Sequence, residues 1–102
     1  MILPWVPLEL AYDATLLVDW SQTLYIQQHP GQFYERNPLM GPHPVSRAVV
    51  NRYFAASALT HLGASFALGN WPKTRAAFQV TTIAFEVSVI NSNKSIGIRL
   101  GF

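Results

Sequence analysis

Three side chains able to do acid–base or metal chemistry stand in weakly charged surroundings: Asp19, His61 and Glu86. Imidazole and carboxylates suit a divalent cation or an acid–base pair, so these three form the candidate metal or proton-handling centre. His61 lies in a stretch, residues 53–72, with no Asp, Glu, Lys or Arg. Glu86 is the single acid in residues 76–93. The spacing is not that of a compact metal site, since no H-x-x-x-H pair occurs. A phosphate-cradling glycine loop and a G-x-S-x-G elbow are also missing, so no catalytic residue is assigned. The chain has no cysteine, which removes disulfide, thiolate-metal and cysteine-nucleophile chemistry. His29 and His43 each precede a proline and read as loop histidines.

The polar residues around these three fall in register with helices. Arg75, Gln79, Thr82, Glu86 and Asn93 lie within about 60° on a helical wheel. Ser57, His61, Ser65 and Gly69 recur every four residues, a spacing that lets helix backbones approach closely. Glu9, Asp13, Asp19 and Thr23 share one broad face of a first helix. The intramembrane polar cluster expected from this pattern comprises Asp19, Thr23, Ser57, His61, Gln79, Thr82 and Glu86, with His61 and Glu86 paired between the second and third helices. One purpose for such a cluster is hydrogen bonding between helices, without chemistry. The metal or proton centre is the sharper alternative.

Composition says where such helices would sit. Charged residues make up 12% of the 102, against roughly a quarter in soluble domains. Apolar residues reach 50%, and the mean hydropathy is +0.19. The pI near 9.3 comes from seven basic residues scattered singly, with no cluster to track phosphates, so nucleic acid is not an expected partner. The N-terminus has no basic region before its apolar run, which argues against a cleaved signal peptide. The expected fold is therefore all-α: a small integral membrane bundle of three transmembrane helices at about 2–28, 46–70 and 74–93. A Pro/Gly-rich loop spans 29–45 and a tail 94–102. Ser46 is the expected N-cap of the second helix, and the short link at 73–75 makes the last two helices a hairpin. Trp5, Trp20 and Trp71 are expected at helix ends as interfacial anchors rather than as a binding cage.

Two short motifs carry a family resemblance: Asp19-Trp20-Ser21-Gln22-Thr23, and Glu35-Arg36-Asn37-Pro38-Leu39-Met40-Gly41 in the loop. Together they resemble the D-x-x-x-T and E-x-N-P-x-x-G pattern of a domain-of-unknown-function family of small bacterial and phage-encoded integral membrane proteins. The resemblance covers about residues 19–52 and brings no activity with it. Within the loop motif, Asn37 before Pro38 favours a turn. Glu35 is placed to bond Thr23 or Gln22, or to pair with Arg52.

A bundle this small has little interior for a substrate. The leading expectation is a non-enzymatic membrane subunit or regulator that associates laterally with a larger membrane protein or with its own copies. An intramembrane metal-dependent or proton-handling enzyme and a phage-type membrane-permeabilising or lysis protein are the alternatives. The lipid bilayer is the implied partner, and no cofactor is implied. For orientation, Arg36, Arg47, Arg52, Lys94 and Arg99 lie on the loop and C-terminal side, against Lys73 and Arg75 on the other. The excess of basic residues predicts a cytoplasmic C-terminus and an external N-terminus, in the cytoplasmic (inner) membrane of the cell.

Overall fold

The structure, a computed structural model, describes residues 5–29 and 46–101. Within them the chain is all-helical: α1 (Val6–Gln28), α2 (Arg47–Ala67), a 3-10 turn (Leu68–Asn70) and α3 (Pro72–Ser95). The loop motif with Glu35, Asn37 and Pro38 lies outside the described residues.

Local chemistry sets each helix boundary. Trp5 is in a turn, so α1 starts at Val6 rather than at the expected Ile2, and Pro7 falls in the first turn, which has no hydrogen bond for it to break. Ser46 caps α2 as expected, its hydroxyl accepting from the Val49 amide at 3.2 Å. α2 stops at Ala67, not at 70, because the chain tightens there into the 3-10 turn. Trp71 N–H donates to Leu68 O at 2.9 Å, and Pro72 occupies the first position of α3. The third helix thus begins two residues before the expected Thr74 and runs two beyond Asn93.

The end of α3 is a Schellman motif. Gly97 takes φ +93°, its amide donates to Lys94 O, and the Ile98 amide donates to Asn93 O, both at 3.1 Å. This reversal sends the tail back onto α1, where Ile98 is buried. Gly101 N–H then donates to Ser21 O and to Ser21 Oγ, each at 2.9 Å. A Cβ on Gly101 would stand 2.5 Å from the Tyr25 amide nitrogen, so only glycine fits this approach.

α1 is the axial element: it packs along both α2 and α3, whereas α2 and α3 meet each other much less. The apolar core is small and lies between α1 and α2, formed by Tyr12, Leu16, Leu24, Val50 and Phe54. Polar residues fill much of the remaining interior, and many large apolar side chains point outward. Leu59 is 71% exposed, Phe66 75% and Phe85 65%. None of the helices among the described residues is long and apolar enough to cross a membrane.

Candidate polar site

The first polar group is built around Glu9 and His61. Glu9, one turn into α1, is only 4% exposed. Its Oε1 accepts from Ser65 Oγ at 2.6 Å and from Gln79 Nε2 at 3.1 Å. Its Oε2 lies 2.8 Å from His61 Nδ1. A carboxyl group that receives three donors has the bonding pattern of a carboxylate. On the other side of the ring, His61 Nε2 is 2.7 Å from Thr82 Oγ1, whose hydroxyl donates to Gln79 O at 2.9 Å. The Thr82 hydroxyl thus bridges Gln79 O and the imidazole, and Glu9 and His61 form a buried, hydrogen-bonded acid–imidazole pair.

Two aromatic rings close the site. Tyr12 stacks on the imidazole with centroids 3.5 Å apart and planes 6° from parallel, and Phe78 covers the opposite face at 4.6 Å. The acid, imidazole and hydroxyl lie in a row, the order a nucleophilic triad uses. Here, however, the ring is sandwiched and the hydroxyl is committed to a backbone carbonyl. The row binds three helices together: Glu9 from α1, His61 and Ser65 from α2, Gln79 and Thr82 from α3.

The second polar group lies further along α1. Asp19 and Glu86 are both buried, and each carboxyl lies in the hydrogen-bonding and electrostatic range of the other. Two carboxyls can share a hydrogen bond only when one of them carries a proton. Glu86 Oε2 and Gln79 Oε1 have no hydrogen-bond partner among the described residues.

The remaining residues of the Asp19–Thr23 motif each hold a different neighbour. Trp20 Nε1 donates to Asn51 Oδ1 on α2 at 2.9 Å. Ser21 receives the tail. Gln22 Nε2 donates to Ile90 O at 3.2 Å, and its Oε1 accepts from Asn93 Nδ2 at 3.0 Å, which fastens α1 to the end of α3. Thr23 turns back on its own helix and donates to Asp19 O at 2.9 Å.

The expected cluster is therefore inside the bundle but divided differently. Asp19, His61, Gln79 and Glu86 are buried and Thr82 is half-buried. Glu86 faces the interior, as its charge requires, yet His61 and Glu86 are not partners. His61 bonds Glu9 and Thr82, while Glu86 faces Asp19. The physical reason is that α1 carries acids at two levels: Glu9 bonds the imidazole, while Asp19 lies level with Glu86. Among the described residues no group of three His, Asp or Glu side chains converges as metal ligands, so the Asp19–His61–Glu86 centre does not assemble. Ser57 is half-buried and makes no hydrogen bond among the described residues. Arg75 leaves the polar row and stands over the Trp5 ring at 5.2 Å. Glu9 is the site residue that sequence reasoning passed over. Its signal was its place on the polar face of α1, ten residues before Asp19.

Comparison of the chain with known protein families, with curated proteins and with solved structures finds no match.

Proposed function

We propose that this chain is a small membrane-embedded three-helix unit that works by lateral association with a larger membrane protein. The observation that carries this reading is the inverted polarity of the bundle. Among the described residues nine polar or charged side chains are buried against seven apolar ones, while eleven large apolar side chains are exposed. In water this arrangement leaves apolar surface unsatisfied and buries costly groups; in a bilayer it is what helix packing requires.

The hydropathy of the whole helices fits once the faces are separated. The acids and amides that lower it, such as Glu9, Gln79 and Glu86, are those that meet inside. The helices have 23, 21 and 24 residues, or about 34, 31 and 36 Å at ~1.5 Å per residue, enough for a hydrocarbon core about 30 Å thick. The two polar groups serve as the fastening between helices, and the bonds of Glu9 and His61 to side chains of all three helices favour a structural part over chemistry. On this reading the excess of basic residues on the loop and C-terminal side puts the C-terminus in the cytoplasm.

Alkaline carbonate washing of membranes that contain the full chain tests the proposal. Retention in the pellet and extraction only by detergent are expected; release into the supernatant would overturn it. A fluorescent C-terminal fusion that stays dark, with an active periplasmic phosphatase at the same site, would reverse the orientation alone.

A further inference from the structure

Asp13 lies one turn beyond Glu9, within electrostatic range of Glu9 and His61 but outside their hydrogen bonds. It is exposed on α1 and has no hydrogen bond or ion pair among the described residues. It borders a groove of about 360 Å3 between α1 and α2, whose walls are otherwise almost wholly apolar: Leu17, Trp20, Phe54, Ala55 and Ala58. The two alanines leave room for another backbone to approach closely. We propose that this groove seats a transmembrane helix of a partner protein that carries one Lys or Arg opposite Asp13. The inference rests on the membrane reading above and names the chemistry of the partner.

Charge selects the occupant. Asp13 is the eighth residue of the 23 in α1, four positions from the middle, so it lies about 6 Å from the helix centre. At that depth an unpaired carboxylate beside lipid is costly, and a cation on a neighbouring helix relieves the cost. A second copy of this chain does not supply that cation. It has no Lys or Arg between Arg52 and Lys73, nor between Arg75 and Lys94, so its basic residues lie toward the helix ends. Two parallel copies at equal depth would instead set Asp13 near Asp13.

The test uses the full chain, labelled with a donor dye and reconstituted in phosphatidylcholine vesicles. Acceptor-labelled transmembrane peptides of Leu and Ala with a single central Lys, Leu or Glu are the probes. Flotation of the vesicles is read first: a chain that fails to float overturns the membrane reading and this inference with it. Where the chain floats, energy transfer is expected to show at least ten-fold tighter association with the Lys peptide than with the Leu peptide. Asp13→Asn should abolish that preference, and Ala58→Phe, which fills the groove, should weaken all binding. A floating chain that binds the Leu peptide equally well, or keeps its Lys preference as Asp13→Asn, would overturn the inference and leave the membrane reading standing. Self-association of the chain that Ala58→Phe abolishes would also overturn it, by giving the groove to a second copy.

Discussion

Substituting His61→Ala tests the inner architecture most directly, because one ring joins three helices. Its loss leaves Glu9 Oε2 without a donor and Thr82 Oγ1 without its imidazole partner, and opens a gap between Tyr12 and Phe78. Leaving a buried carboxylate short of a donor costs about 3–5 kcal/mol where the lost partner was its main one. Glu9 keeps Ser65 and Gln79 on its other oxygen, which places this loss near the lower end, about 3 kcal/mol. The two lost ring contacts add about 1 kcal/mol. Glu9→Gln is milder, since an amide oxygen still accepts from Ser65 and Gln79. Combined with His61→Ala it should show a coupling of about 2 kcal/mol, within the range found for residues in contact. Equilibrium unfolding in mixed detergent micelles, followed by circular dichroism, measures all four corners of the cycle. An isolated interhelical hydrogen bond in a membrane protein is worth only about 0.6 kcal/mol. A His61→Ala loss of that size, or additivity with Glu9→Gln, would refute the buried Glu9–His61 pair as the fastening of the bundle.

Further outcomes follow from individual contacts. Gln22→Leu removes the bonds to Ile90 O and Asn93 and should cost about 1–2 kcal/mol, with Asn93→Ala adding little on top, by the same unfolding assay. Gly101→Ala forces a methyl against the α1 backbone and should cost about 1–3 kcal/mol. It should also release the tail, seen as faster trimming by carboxypeptidase than in the parent chain. Ser46→Ala deletes the α2 cap and should cost about 1 kcal/mol, with earlier amide exchange confined to the first turn of α2.

Much of the helix plan could be read from residue pattern alone. The helix around His61 and the Ser46 cap each have one local physical cause, and the structure reproduces them; the link before α3 is short as expected but falls at Leu68–Trp71, with 73–75 inside α3. The tail did not yield to the same reading. Alternation of Ile96, Ile98 and Leu100 suggests either a frayed helix or an extended strip, whereas Gly97 ends α3 by a left-handed turn and Gly101 docks on α1. That docking depends on a backbone approach that no periodicity encodes. The polar pairing went astray for a related reason. A helical wheel puts Glu86 and His61 on inward faces correctly, but it says nothing of which neighbour each face meets. Once α1 becomes the axial helix, its acids at positions 9 and 19 decide the partners: Glu9 takes one ring nitrogen of His61 and Thr82, one turn before Glu86, takes the other.

The five residues from Asp19 to Thr23 fix the rotational phase of α1. Within less than two turns they reach α2 through Trp20, α3 through Asp19 and Gln22, and the tail through Ser21. A single inserted residue at 17 or 18 would turn everything beyond it by about 100° and carry every one of these groups away from its partner together. Point substitutions here remove one tie at a time, but a change of length removes them all. Length variation within the stretch from Glu9 to Thr23 is therefore excluded, and lineages of this chain should keep its count while their side chains vary.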